Sequence, residues 1–343
     1  MARTTIADVA KAAGVSTFTV SQTLRGKNHV APATREKVLK VAKELNYTAS
    51  RAASSLASGK ENRIALLARE RIGGWFMGEL TEGMYDVLSK EDYDIVIYRA
   101  SSDTKRSHFF ERLPMRRNAD ALVVTGFPVT ESEKNALSKI DMPIVAVNSP
   151  DTAYCQASIT TDDVAAEAAA VRYLAAIGHR RFCYLGRADP LCGNSWGYDA
   201  RALGYMEAIA ELNLTDCGSY HIDPLQPNTV SQSVASILSK PERPTALYVW
   251  SDYYAVSVLH ELRRNGLQVP EDMSVMGFDG SDMATALDLT TMAQPAREIG
   301  RLAARKALAL ACGETLDDSH TVIEPTLQIG LSTKPLIAIQ SSE

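Results

Sequence analysis

The sequence predicts two unlike parts: a small all-α head over residues 1–49, then a much larger α/β body built on parallel sheets. Three observations carry this. The first sixty residues hold three helical spacings in quick succession, with a glycine between the first two. From residue 62 onward, apolar runs alternate with helical stretches, the signature of βαβ units and a parallel sheet. The charge divides in the same way. Residues 1–60 carry ten Lys and Arg against three acids, a net of +7, so the remainder of a chain with total charge −5 carries −12. At 343 residues the chain is long enough for two or three domains of about 150 residues each.

The elements of the head follow from spacing and caps. In "IADVAKAAGVSTFTVSQTLRG", Ile6, Val9 and Ala10 form one apolar helical face, and Thr5 stands where an N-cap is wanted. Gly14 suits a sharp turn. Ser16 can cap a second helix, in which Val20 and Leu24 face inward while Thr17, Phe18, Ser21 and Gln22 form an outward strip at i, i+4 spacing. A third helix carries Val38, Val41, Ala42 and Leu45, enough to close a small shared core. A helix–Gly turn–helix in a basic segment fits a helix-turn-helix, whose second helix presents side chains to the major groove. The basic head on an acidic body is the footprint of a polyanion-binding module.

The body reads through its apolar runs: "RIALLA", "YDIVIY", "ADALVVTG", "MPIVAV", "RRFCYLG", "TALYVW" and "SVMGF". Other classes are excluded or disfavoured. No run approaches the roughly 18 apolar residues of a membrane span, and "MARTTIADVA" has no apolar signal core, so a cytoplasmic protein is expected. Cys155, Cys183, Cys192, Cys217 and Cys312 are scattered without a CxxC, which suggests neither disulfides nor a metal site. There is no P-loop and no strand–GxGxxG–helix, so no nucleotide cofactor is expected.

"TTIADVAKAAGVSTFTVSQTLRG", "HVAPATREKVLKVAKELNY" and "RAASSLASG" together resemble the N-terminus of the LacI/GalR family of bacterial transcription regulators. Shorter resemblances continue in "AAIGHRRFCYLG", "ARALGYMEAI", "LRRNGLQVPEDMSVMGFDG" and "LTTMAQPAREIGRLAARKAL". The resemblance implies that Thr5, Ser16, Thr19, Ser21, His29 and Thr34 contact the DNA backbone, setting register rather than sequence. It implies base reading by Thr17, Phe18 and Gln22. The last position is often arginine in the family. Glutamine suits adenine N6/N7 instead, and Phe18 can pack on a thymine methyl. Residues 50–60, "SRAASSLASGK", resemble a hinge helix that folds on DNA, with Leu56 wedging into the minor groove and Ala53 facing it; a flexible linker is the alternative.

For residues 62–343 the resemblance implies the fold of periplasmic sugar-binding proteins, two α/β lobes with a ligand between them. Lobe 1 would span about 62–161 and 293–321, and lobe 2 about 162–292 and 322–337, with the chain passing between them near 161, 292 and 321. Effector contacts are expected from Trp75 and Phe76, Asp162, Arg201, Asp252 and Asp279. Each has an ordinary alternative: packing for the aromatics, a helix cap for Asp162, a surface ion pair for Arg201. His179 is read as a turn residue rather than a catalytic base. Asp252 and Asp279 come without a nucleophile motif, so catalysis is not expected. The implied partners are a pseudo-palindromic double-stranded DNA operator, a second copy of the chain, and a small molecule, with a sugar or sugar derivative the default.

Overall fold

The computed structural model describes residues 4–24, 30–47, 60–126, 128–187, 200–223, 226 and 228–336. Two compact units divide the chain, Met1–Asn62 and Arg63–Glu343. Residues 50–59 of the expected hinge segment, with Ala53 and Leu56, lie outside the described residues, as does His29.

The first unit contains α1 (Ile6–Ala13), α2 (Thr17–Leu24) and α3 (Pro32–Glu44). Thr5 caps α1 reciprocally: its hydroxyl accepts from the Asp8 N–H, and the Asp8 carboxylate accepts from the Thr5 N–H at 2.9 Å. Gly14 ends the helix at φ 66°, where any side chain would be strained. Ser16 caps α2 by accepting from the Thr19 N–H at 3.1 Å. Pro32 opens α3, where its missing N–H has no intrahelical partner to lose. Val9, Ala10, Ala13, Val20, Val38 and Ala42 close one core. Leu45 departs from the sequence expectation. It is the exposed C-cap of α3, and its carbonyl accepts from the Thr4 hydroxyl at 3.1 Å.

The second unit is two parallel-sheet lobes. Lobe 1 contains β1 (Arg63–Ala68), α4 (Trp75–Leu88), β2 (Asp94–Arg99), α5 (Asp103–Arg112), β3 (Ala121–Thr125), α6 (Glu131–Leu137), β4 (Ile144–Val147) and β5 (Ala157–Thr161). Lobe 2 contains α7 (Asp163–Ala176), β6 (Arg181–Arg187), α8 (Ala200–Glu211), β7 (Thr215–Ile222), α9 (Thr229–Leu238), β8 (Ala246–Val249), α10 (Asp252–Arg264), β9 (Ser274–Asp279), α11 (Asp282–Ala286) and β10 (Thr290–Ala293). Then α12 (Ala296–Ala311) and β11 (His320–Ile323) return to lobe 1, and β12 (Thr326–Gln328) ends in lobe 2. The strand orders are β11-β5-β4-β3-β1-β2 and β12-β10-β9-β8-β6-β7. Every pairing is parallel except β12 against β10. The passages between lobes therefore fall at residue 162, at 294–295 and at 324–325.

Burial explains the apolar runs. Ile64 to Ala68 of β1 are wholly buried because helices cover both faces of the sheet. On one face, α4 and α12 pack at backbone contact. A Cβ on Gly83 would stand 1.9 Å from the Arg297 carbonyl oxygen, and one on Gly300 2.1 Å from that of Leu80. His179 is a turn residue: Nδ1 bonds Thr245 Oγ1 at 3.0 Å and Nε2 the Lys334 carbonyl at 3.2 Å, joining the α7–β6 corner to β8 and the C-terminal segment. Burial lowers its pKa below the ordinary histidine value.

Candidate functional site

Two surfaces bring together the residues singled out from sequence. The first is the outer face of α2. Val20 and Thr23 point into the core, which turns Thr17 and Phe18 to solvent and leaves Ser21 and Gln22 half-buried alongside. Phe18 is 71% exposed. The strip borders a shallow hollow of about 700 Å³, walled by Ser16, Phe18, Thr19 and Gln22 on one side and by Ala31 and Thr34 of the α3 entrance on the other. No side chain caps α3, so the positive end of its dipole faces outward, the arrangement that suits an anionic oxygen. The Ser16 and Thr19 hydroxyls bond each other at 2.9 Å, while Thr5 donates its proton to Asp8 at 2.7 Å.

The second surface is the crevice at the carboxyl ends of the body strands, where open parallel sheets place their ligands. Arg201, in the first turn of α8, is only 7% exposed. Its Nε donates to Asp163 Oδ2 at 3.0 Å and its Nη1 to the Trp250 carbonyl at 2.6 Å. The guanidinium carbon lies 3.5 Å from the centre of the Phe278 ring and 4.9 Å from that of Trp250. Burial opposes its charge, but Asp163 and then Asp279 outweigh burial and hold the guanidinium above its ordinary range. Asp163 is itself fixed by the Thr161 hydroxyl at 2.6 Å.

Asp279 ends β9 at φ 130°, beyond the ordinary range of a side-chain-bearing residue. The passage between β10 and α12 holds it twice. Gln294 Nε2 donates to its carboxylate at 2.8 Å, and the Gln294 N–H donates to its carbonyl at 3.0 Å. Burial pushes its carboxyl up to about 8 even though Arg201 pulls the other way. Gln294 is 6% exposed, and its Oε1 is buried without a hydrogen-bond partner among the described residues. Such an orphan acceptor is costly unless a ligand or water meets it.

The structure redistributes the other expected residues. Asp252 is 0% exposed, and the chain itself satisfies both its oxygens: Ser281 N–H at 2.8 Å and Thr291 Oγ1 at 2.7 Å. It turns under β9 against Gly277 rather than into the crevice, so it braces β8, β9 and β10 and is not available to a ligand. Asp162 caps α7 through the Ala165 N–H at 2.9 Å. Phe76 packs on the lobe 1 core from the first turn of α4, with Trp75 half-buried beside it. Sequence reasoning passed over Asp163 and Gln294. Asp163 is the second acid of "TTDD", one register step from the residue chosen. Gln294 follows a strand end, the same positional rule that picked out Asp279.

The lobes also touch across the crevice. Arg187, the last residue of β6, pairs through Nη1 with Glu70 Oε1, two residues beyond β1. The Arg187 guanidinium carbon lies 5.3 Å from the centre of the Trp250 ring, and the Glu70 carbonyl accepts from Arg99 Nε at 2.9 Å. Among the described residues, no group of three His, Cys, Asp or Glu could hold a metal ion, and no helix is long and apolar enough to cross a membrane.

Comparison with known proteins agrees with this division. Residues 5–50 match the family described as bacterial regulatory proteins, lacI family, and residues 171–333 a periplasmic binding protein-like domain. Catabolite control protein A of Priestia megaterium is 29% identical over 96% of this chain and 99% of its own length. The HTH-type transcriptional regulator DegA of Bacillus subtilis (strain 168) is 30% identical over 97% of this chain and 99% of its own. Among solved structures, the lac repressor dimer bound to operator and the anti-inducer ONPF shares the fold at TM-score 0.83, with 22% identity over 97% of this chain and 100% of that one.

Proposed function

The chain belongs to the lacI family of bacterial regulatory proteins, as a DNA-binding transcriptional regulator and not an enzyme, and from that premise we propose that it is a repressor whose operator affinity is set by a small molecule held in the crevice. The observation that carries the DNA half is the outward strip of α2. Phe18 stands in solvent beside Thr17 and Gln22 while the opposite face builds the core. In this reading Phe18 packs on a thymine methyl and Gln22 reads adenine. Ser16, Thr19, Ser21 and Thr34, with Thr5 and His29, hold the backbone around the hollow. Thr5 contributes through the helix end it caps, because its own proton is taken by Asp8.

The same reading makes residues 50–60 a hinge between a head at 1–49 and a body at 62–343, with Leu56 and Ala53 in the minor groove. It makes the active species a homodimer whose two α2 helices read the halves of a pseudo-palindrome. The lac repressor dimer bound to operator, which shares the fold, supports that assembly. The effector is a sugar or sugar derivative. Arg201, Asp279 and the orphan Oε1 of Gln294 can together donate to and accept from hydroxyls. A ligand can act only by binding two lobe arrangements unequally.

Selection of bound sites from random DNA tests the base-reading claim. The wild type is expected to enrich two related half-sites rich in A·T. Gln22→Arg is expected to move one position of each half-site to guanine, through a bidentate contact worth about 1–3 kcal/mol of discrimination. An unchanged profile would remove Gln22 from the base-reading set.

A further inference from the structure

The ion pair between Glu70 and Arg187 bridges the two lobes at the carboxyl ends of β1 and β6, on the side of the sheets where the crevice lies. Its side chains are 31% and 23% exposed, so it is open enough to break yet shielded enough to matter. Arg187 and Arg201 lie against the same indole, that of Trp250. Arg99 reaches the same loop through the Glu70 carbonyl. Three arginines thus converge on one end of the crevice.

The acids facing them are unequal. Asp163 is committed to Arg201 and Thr161. Asp279 is bonded by Gln294, and burial disfavours its charged form. Glu70 is therefore the anion that the first lobe offers to Arg187. A neutral molecule that separates the lobes has nothing to give the guanidinium in exchange for that carboxylate. A molecule with an acid group makes an even exchange, charge for charge, and a planar guanidinium suits a carboxylate or a phosphate equally.

We propose that the effector is an anionic polyhydroxy compound whose acid group takes the place of Glu70 on Arg187. The internal carboxylate then holds the ligand-free crevice shut and competes with every anion that enters. This rests on the reading of the crevice as the effector site, and it narrows the sugar default to a sugar acid or a sugar phosphate.

Thermal melts of the full chain at fixed ionic strength test it, with inorganic phosphate, D-gluconate and neutral D-glucitol as probes. Removing the internal competitor in Glu70→Gln is expected to lower the half-saturating concentration of phosphate or gluconate at least fivefold against the wild type, with no such gain for glucitol. Arg187→Gln is expected to abolish the anion response. Should that variant melt too early to assay, Glu70→Gln against the wild type makes the same comparison. Whether phosphate or gluconate gains more identifies the acid group. Equal anion responses in wild type and Glu70→Gln, or glucitol binding as tightly as gluconate, would overturn the proposal. Operator affinity measured with the same probes separates the two readings. An anion that binds through Arg187 but leaves operator affinity within twofold upholds the anion site and removes its regulatory role. A shift in operator affinity with glucitol alone upholds an effector crevice and overturns the anionic effector.

Discussion

Replacing Arg201 by methionine should destabilise the body as well as alter its ligand response. The substitution removes the donors to Asp163 Oδ2 and the Trp250 carbonyl, and it replaces a cation stacked 3.5 Å from the Phe278 ring centre by a flexible thioether. Its main effect is on Asp163, left as a carboxylate with the Thr161 hydroxyl as its remaining side-chain partner among the described residues. Breaking a buried pair from one side costs about 3–5 kcal/mol. At roughly 2–4 °C per kcal/mol for a domain of this class, the melting temperature of the body should fall by roughly 6–20 °C. Circular dichroism melts measure this directly. Asp163→Asn keeps an acceptor for Arg201 but removes the charge. The double variant should therefore lose less than the sum of the singles, by about 1–3 kcal/mol of coupling. Single losses below ~1 kcal/mol, or strict additivity, would refute the account of Arg201 as a buried, charge-compensated post.

Three further outcomes are expected. Asp279 is protonated more readily in the folded chain than in the unfolded one, so its contribution is greatest below the ordinary carboxylate pKa and is lost as pH rises through about 8. Asp279→Asn should flatten the stability profile between pH 5 and 8 and raise stability at the alkaline end by at least ~1 kcal/mol in denaturant titrations; a steeper profile would contradict the sign. Phe18→Ala should leave the melting temperature nearly unchanged, because the ring is exposed, yet weaken operator binding by about 1–3 kcal/mol in a fluorescence-anisotropy titration. Gly300→Ala should destabilise by about 1–3 kcal/mol in chemical unfolding, because its Cβ meets the Leu80 carbonyl at 2.1 Å and backbone cannot step aside.

The sequence made the head and most of the sheet legible for simple reasons. Caps and the glycine turn are local, and strands covered on both faces must be apolar throughout. The strands missing from the apolar runs are β5, β7, β10, β11 and β12. Of these, "ASITT", "TTMA" and "HTVI" carry hydroxyls and a histidine that find partners far away in sequence, such as Ser158 with His320 at 2.9 Å and Thr290 with Thr333 at 2.8 Å, while "TLQ" is short and exposed. Asp252 shows the limit of reasoning from position. It comes just past the end of β8, as Asp279 closes β9, but as the first residue of α10 it is turned beneath the sheet and finds Thr291. The importance of Asp163 was hidden for the opposite reason: its partner lies 38 residues away, and nothing local announces the pair.

The three passages between the lobes have a mechanical consequence. Two of them are dipeptides ending in proline, Gln294–Pro295 and Glu324–Pro325, and the third is Asp162 alone. A proline ring removes one backbone torsion from each dipeptide, leaving very few rotatable bonds to absorb relative movement of two large bodies. Three short parallel straps resist sliding and stretching and yield mainly to a twist about a common axis. Asp279 is tethered to the second strap and Arg201 to the residue just after the first, through Asp163. In the proposed reading, a ligand in the crevice acts as a torque on that one soft coordinate. A strap lengthened by a single glycine should loosen that coupling while leaving both binding surfaces intact.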